Sequence, residues 1–413
     1  MKRREFIKLG LAAAGASIFP IYGRAQAREI RIGQQADITG VLAQIGYWNQ
    51  KAAKAAVDKI NAEGGIAGKK IAYFAEDTGA VAQKGLTKFR KLVEENQVDF
   101  VIGTIHGGTA LATLPAAEEL KTPIFFTAET QDIIENANRY IFRSRTDARA
   151  HWWASAEWAV KNLGKRWSYI VADYAWGRGH EKECRQRVDH FGGESLSSIF
   201  VPLGTKDFVP YLTKVDPKTE VLFNCFFGAE NVGFTQQSYK LIPKSVIRFG
   251  AAGFEGVEVE PLREEIDGAY FVVSLPRDFN EVPGDIRPYI KTLNEAVGVG
   301  PDGREITNPK NLVTPNYYWS PWEQVYLIKR GIEKSAWKTR EDHPKFIMAL
   351  EGIKVKAGPA FPQGDMWIRA EDHQGFHDQW IGRFKDGKFR LVVKFPVDKS
   401  AYPATVHVNK KSF

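Results

Sequence analysis

The stretch from Ile30 to Gly79 most constrains the fold of this chain, because it carries the signatures of a strand, a turn, a helix and a second strand in that order. Apolar and polar residues alternate from Ile30 to Gln34, as in a strand. Thr39-Gly40 supplies a turn. Small or apolar residues then recur at helical spacing from Ala43 to Ile60, and Gly64-Gly65 ends the helix. This order predicts an α/β unit around a parallel sheet.

Strand and helix patterns continue to alternate along the chain, with short connections between them. The predicted strands cover residues 98–103, 122–126, 140–143, 167–172, 194–201, 220–226 and 247–250. The predicted helices cover residues 109–120, 150–163, 179–191, 231–241 and 317–336. Residues 296–316 show neither period and are expected to form an irregular surface loop.

The N-terminus has the pattern of an export signal. Lys2-Arg-Arg-Glu-Phe-Ile-Lys8 is a twin-arginine motif, an apolar run from Leu9 to Ile21 follows it, and Ala25-Gln-Ala27 is a small-residue cleavage site. The apolar run is shorter than the roughly 20 residues of a spanning helix. We therefore expect residues 1–27 to be a signal peptide and the mature chain to lie in the periplasm without a membrane anchor.

Composition bears on nucleic-acid binding and on the state of the two cysteines. The formal net charge of +8 is scattered, without the Lys/Arg run of a nucleic-acid-binding patch, so we expect no nucleic-acid partner. The two cysteines, Cys184 and Cys225, could form a disulfide in the periplasm or remain two buried thiols. The sequence does not decide between these states.

The motifs of the first half resemble the periplasmic leucine/isoleucine/valine-binding protein family. The matching residues are Asp37-Ile-Thr-Gly40, Ala43, Gly46, Ile60-Asn61, Gly64-Gly-Ile66, Gly68-Lys-Lys70, Asp77 and Asp173-Tyr-Ala-Trp-Gly-Arg-Gly179. The resemblance implies the type I periplasmic binding protein fold, in which two Rossmann-like lobes with parallel sheets are joined by hinge crossings. We assign residues 28–147 and about 277–352 to lobe 1, and residues 148–276 and about 353–413 to lobe 2.

The loops after the strands are the candidate ligand site, because ligands of open α/β sheets bind at the carboxyl ends of strands. The loop containing His106, Gly107 and Gly108 opens a helix, and the exposed amides at a helix N-terminus attract anions. The resemblance implies that this loop holds a ligand carboxylate. Gly107 stands where the family has a serine.

The next loop contains Ala128, Glu129 and Thr130. The resemblance implies that an Ala carbonyl and a Thr hydroxyl here hold an amino acid, and Ala128 and Thr130 match those positions. Glu129 departs from the family pattern and points either to solvent or into the cleft.

A departure in residues 250–256 bears on the ligand. Amino-acid-binding members place there an acidic residue that neutralises the ligand ammonium, and Ala252 stands at that place in this chain. Glu255 could substitute only if the loop differs. Phe254 is the aromatic candidate of the same loop.

Aromatic and apolar candidates complete the predicted site. Ile45 and Tyr47 start the first helix, Trp176 stands where the family has a Tyr, and Phe227 follows another strand. Aromatic walls favour flat apolar ligands. The expected ligand is an apolar or aromatic carboxylate, and a hydrophobic amino acid is the family's usual ligand.

The resemblance implies a solute receptor that delivers its ligand to the membrane permease of an ABC importer. We expect a monomer without a cofactor or a metal. We also expect no catalytic residues, because the serine-hydrolase and zinc-protease motifs are missing from the sequence. His373 and His377 are four apart, but Gly375 between them argues against a helical metal site. A ligand sensor on the same fold and, less in keeping with the sequence, a periplasmic enzyme are the alternatives.

Overall fold

The computed structural model describes residues 28–251 and 254–413. The predicted twin-arginine signal peptide and Ala252 lie outside the described residues. The strands are β1 Ile30–Ala36, β2 Ile71–Asp77, β3 Phe100–Gly103, β4 Ile124–Phe126, β5 Ile141–Arg143, β6 Arg166–Ala172, β7 Glu194–Val201, β8 Val221–Cys225, β9 Ile247–Ala251, β10 Tyr270–Val273, β11 Lys354–Val355, β12 Met366–Ile368, β13 Gly375–His377, β14 Gln379–Lys385 and β15 Lys388–Phe395. The helices are α1 Ala43–Ala62, α2 Ala82–Arg90, α3 Gly107–Glu119, α4 Asp132–Glu135, α5 Ala148–Asn162, α6 Ala175–His190, α7 Val209–Leu212, α8 Gly228–Leu241, α9 Arg287–Val297, α10 Trp319–Ser335, α11 His343–Leu350 and α12 Val397–Ser400.

The first sheet is fully parallel and has the order β2-β1-β3-β4-β5. Its central strands are buried on both faces, as expected when helices cover a parallel sheet. Ile32 of β1 lies opposite Tyr73 on one side and Phe100 on the other. We call this sheet and the helices packed on it lobe 1.

The second sheet has the order β15-β14-β10-β9-β8-β6-β7, and we call it and its helices lobe 2. Strands β6 to β10 pair in parallel, whereas the hairpin β14–β15 adds two antiparallel strands at one edge. Trp152 of α5 fixes the core of lobe 2, with its ring edge-on to Phe223 at 4.9 Å and to Phe249 at 5.5 Å.

Hinge crossings connect the lobes. The chain passes from β5 into α5, and the later helices α9 and α10 return to pack on α1 of lobe 1. It then forms the small sheet β11-β12-β13 before β14 and β15 close lobe 2. The residues at which each crossing changes lobe remain a prediction from the sequence.

Two differences from the predicted elements matter for the site. Helix α6 begins at Ala175 rather than Gly179, so Trp176 lies in the first helical turn. Helix α8 begins at Gly228, directly after Phe227. Cys184 and Cys225 are both buried and free, which answers the question that the sequence left open.

Candidate functional site

A cavity lies between the lobes at the carboxyl ends of strands from both sheets. Its space is about 430 Å³ when the part that is open to solvent is included. The lining residues are Leu42, Ile45, Ile105, His106, Gly107, Glu129, Thr130, Tyr174, Trp176, Phe227 and Tyr317.

The N-terminus of α3 forms one wall of this interlobe cavity. The Nδ1 atom of His106 accepts a hydrogen bond from the Thr109 amide at 3.1 Å and so caps the helix. Burial lowers the pKa of His106 from 6.5, although Asp37 opposes this, and a neutral ring can accept that bond. The amides of Gly107 and Gly108 have no acceptor within residues 28–251 and 254–413. With the helix dipole they provide an anion-binding position.

Gly107 packs directly against Thr130. A Cβ atom at position 107 would lie 2.0 Å from Thr130 Oγ1, so the family's serine does not fit here unless Thr130 moves. The Thr130 hydroxyl has no hydrogen-bond partner among the described residues and lines the cavity. The glycine therefore leaves room for the Thr130 hydroxyl beside the free amides of α3.

Glu129 points into the cleft and joins the two lobes. Its Oε1 atom contacts the Arg145 guanidinium and lies 3.2 Å from His151 Nε2. Its Oε2 atom accepts a hydrogen bond from Trp176 Nε1 at 2.7 Å and lies 3.5 Å from His180 Nε2. Glu129 belongs to the loop after β4 of lobe 1, whereas Trp176 and His180 belong to α6 of lobe 2.

The charge of Glu129 is fully committed to these partners. Burial alone would raise its pKa, but the Arg145 charge and the hydrogen bonds from His151 and His180 hold the pKa well below 4.5. Burial lowers the pKa of His180 despite the neighbouring Glu129 carboxylate. The carboxylate is therefore ionised at neutral pH and balanced by Arg145, which stacks over the Tyr317 ring at 4.1 Å.

The opposite walls are aromatic. Trp176 packs edge-on to Phe227 at 6.2 Å and lies 6.0 Å from Tyr174, measured between ring centroids. Within the described chain, the hydroxyl groups of Tyr174 and Tyr317 have no hydrogen-bond partner. The cavity thus combines aromatic surface with three free hydroxyl groups, including that of Thr130.

The structure brings most of the sequence-predicted residues to this cavity. Those that line it are Ile45, His106, Gly107, Glu129, Thr130, Trp176 and Phe227. Gly108 and Ala128 are neighbours in the same two loops but do not line it, and Ala128 is fully buried.

The structure does not bring Tyr47 to the cavity. Its hydroxyl donates to Glu305 at 2.7 Å, and its side chain is 38 % exposed. Residues two apart on a helix point to nearly opposite sides, so Ile45 and Tyr47 of α1 cannot both face the cleft.

Phe254 and Glu255 line a different cavity, which is described below. Sequence reasoning also missed four lining residues, namely Leu42, Ile105, Tyr174 and Tyr317. Leu42, Ile105 and Tyr174 lie in loops that follow strands, so the strand-end rule could have found them. Tyr317 follows the irregular stretch before α10, and no sequence pattern placed it at the cleft.

The sequence profile of the periplasmic binding protein family matches residues 29–388. The chain belongs to this family. It is similar to Leu/Ile/Val-binding protein BraC3 of Rhizobium johnstonii, with 24% identity over 79% of this chain and 84% of the relative. Leu/Ile/Val-binding protein homolog 3 of Brucella melitensis is 26% identical over 74% of this chain and 79% of the relative.

Solved structures show the same type I periplasmic binding fold. The solute binding protein of an ABC transporter from Rhodopseudomonas palustris HaA2, in complex with p-hydroxybenzoic acid, has a TM-score of 0.77 at 19% identity and covers 90% of this chain and 98% of its own. LivJ from Streptococcus pneumoniae, in complex with isoleucine, has a TM-score of 0.71 at 20% identity, with coverage of 88% and 99%. In the part of this periplasmic binding protein that the structure describes, no helix is long and apolar enough to cross a membrane. That part also contains no cluster of three His, Cys, Asp or Glu side chains placed to hold a metal ion.

Proposed function

We propose that this protein is the solute receptor of a branched-chain-amino-acid-type ABC importer and binds a small aromatic or apolar carboxylate between its lobes. One observation carries the choice of ligand. Among the described residues, no acidic side chain other than Glu129 lines the interlobe cavity, and the Glu129 charge is already balanced by Arg145. A ligand ammonium would therefore lack a free counter-charge, and a buried unpaired cation is costly.

The carboxylate of such a ligand has a suitable position beside α3. The free amide of Gly107 and the Thr130 hydroxyl, which both line the cavity, can donate hydrogen bonds to it. Its ring would lie among Trp176, Phe227 and Tyr174, where aromatic side chains bury flat surfaces well. The hydroxyl groups of Tyr174 and Tyr317 could bind a polar ring substituent.

The names of similar proteins support two ligand classes. The neighbours from Rhodopseudomonas palustris hold p-hydroxybenzoic acid or benzoate, whereas the LivJ neighbour holds isoleucine and the curated relatives are named for leucine, isoleucine and valine. A hydrophobic amino acid is therefore the second candidate ligand. In both cases the twin-arginine segment would export the chain to the periplasm, where the closed form would dock on the permease.

A matched pair of ligands tests the proposal. 3-Phenylpropionate and phenylalanine share the ring and the carboxylate and differ by the ammonium. We expect 3-phenylpropionate, benzoate and 4-hydroxybenzoate to raise the melting temperature of the mature protein, because ligands stabilise the state that they bind. Phenylalanine and leucine should have little effect. Stabilisation by the amino acids alone would contradict the proposed ligand class.

Calorimetry on Thr130→Val then locates the site. This isosteric change removes the free hydroxyl group and should weaken the binding of the carboxylate by about 1 kcal/mol or more. Thr292→Val, at a half-buried position in α9 outside the cavity lining, is the control and should leave the affinity unchanged.

A further inference from the structure

A second and larger cavity has a lining separate from that of the interlobe cavity. It is bounded by β10, by the hairpin β14–β15 and by residues 302–316. Its space is about 1000 Å³, including the part that is open to solvent. It shares no lining residue with the interlobe cavity, so the proposed carboxylate site does not account for it.

Four phenylalanines form the walls of this second cavity. Phe254 lies edge-on to Phe271 at 5.4 Å and to Phe384 at 5.7 Å, and Phe389 lies 4.9 Å from Phe384. The first three rings are buried, and Phe389 is half-buried. Phenyl faces attract organic cations as well as apolar groups.

The charged groups of the lining favour a cation over an anion. The lining has five acidic and three basic side chains. Acidic and basic groups are both engaged. Arg277 donates to the carbonyl oxygens of Phe254 and Val257, and Arg304 lies 2.7 Å from Glu258. Arg304 also lies 3.4 Å from Asp302, and Arg263 lies 3.5 Å from Glu260. The third basic group, Lys388, is exposed on the hairpin. The excess of two acidic groups is therefore what favours a cation.

Glu255 adds a buried carboxylate of which one oxygen atom has no hydrogen-bond partner among the described residues. It is 5 % exposed, its Oε1 atom accepts a hydrogen bond from Asn316 Nδ2, and its Oε2 atom has no partner among the described residues. A buried carboxylate oxygen without a partner carries a desolvation cost that a bound donor removes.

We propose that this second cavity binds an organic cation with an apolar body, such as a primary arylalkylamine. The ring or alkyl body lies among the phenylalanines, and the ammonium donates to Glu255. The nearby Arg277 also has a buried Nε atom without a partner, so a carboxylate-bearing ligand is the rival that the experiment has to exclude.

Calorimetry with phenethylamine on the mature protein tests this proposal. We expect one equivalent to bind, and 2-phenylethanol, which lacks the charge, to bind at least about tenfold more weakly. Glu255→Gln should weaken phenethylamine binding by about tenfold or more. Thr130→Val, which alters the interlobe cavity, should leave phenethylamine binding unchanged.

Other results would overturn the proposal. These are no binding of phenethylamine, equal affinity in Glu255→Gln and the wild type, loss of binding in Thr130→Val, or uptake of a second equivalent of 3-phenylpropionate. Phe389→Ala, at the half-buried rim of the cavity, should also weaken phenethylamine binding, and it decides the question if Glu255→Gln does not fold. Phenethylamine tests the second cavity and 3-phenylpropionate tests the interlobe cavity. A failure of either proposal can therefore be distinguished from a failure of the other.

Discussion

The indole nitrogen of Trp176 donates to Glu129 Oε2 across the cleft, at 2.7 Å. Each residue belongs to a different lobe, and each also lines the interlobe cavity. The bond can form only when the lobes are close, so it stabilises the closed arrangement. The same side chains thus hold the lobes together and shape the space available to the ligand.

Replacing Trp176 by Phe should separate these two roles. The variant keeps an aromatic wall but loses the N–H group that donates to the Glu129 carboxylate. Hydrogen bonds to a charged acceptor are stronger than those between neutral groups. We expect the affinity for a bound carboxylate to fall about tenfold and the ligand-free protein to become more open. Calorimetry measures the first effect and small-angle scattering the second. Trp158→Phe, at a half-buried position in α5, should change neither the affinity nor the degree of opening. An unaltered affinity in Trp176→Phe would show that this hydrogen bond does not contribute to closure.

Glu129→Gln should destabilise the protein itself. The change leaves the buried Arg145 cation without its partner, which typically costs about 3 kcal/mol in the free energy of unfolding. Urea unfolding measures this loss, and the double variant with Arg145→Met should recover part of it. Glu135→Gln removes a partner of Arg149 at a more exposed place and should cost less.

The pH dependence gives a second check on Glu129. Its pKa is held well below 4.5 in the folded protein, so the ionised pair contributes stability above about pH 4.5. That contribution is lost as the pH falls through the lowered pKa. The difference in unfolding free energy between the wild type and Glu129→Gln should therefore shrink on acidification, and a constant difference would contradict the assigned pairing.

The sequence predicted the architecture of this chain better than its side-chain contacts. The predicted strand at residues 194–201 coincides with β7, because local period and flanking glycines determine such elements. The orientation of Glu129 depends instead on Arg145, His151 and α6, which are distant in sequence. No local pattern encodes such contacts, and this is also why Tyr317 was missed.

We expect that only glycine fits at position 107, because Thr130 packs directly against it. Gly107→Ala would place a methyl group within 2.0 Å of Thr130 Oγ1, so we expect a lower melting temperature and weaker carboxylate binding. Adding Thr130→Ala should restore much of the melting temperature, because it removes the clash. Gly179→Ala is the matched control, since a Cβ atom there meets nothing within 4 Å and alanine favours the helix. Equal melting temperatures for Gly107→Ala and the wild type would show that this loop is not packed as described.

Glu255 should make the protein less stable at high pH. Burial raises its pKa from 4.5 to about 7, against the opposing effects of the Asn316 hydrogen bond and of the Arg277 and Arg145 charges. Tyr317 also faces this carboxyl group, and its own pKa is raised well above 10.0 by burial, so it stays neutral over this range. Between pH 4.5 and 7 the folded state holds a proton that the unfolded state has lost, so this group's contribution to stability falls as the pH rises.

Glu255→Gln removes that titration and leaves the neighbouring charges in place. Relative to the wild type, the variant should gain up to about 3 kcal/mol in unfolding free energy between pH 4.5 and pH 8. Urea unfolding of both proteins at several pH values measures the difference. Phenethylamine bound beside the carboxylate should favour its ionised form and lower its pKa, so saturating amine should reduce the pH-dependent difference. A difference that is independent of pH would show that Glu255 titrates alike in the folded and unfolded states.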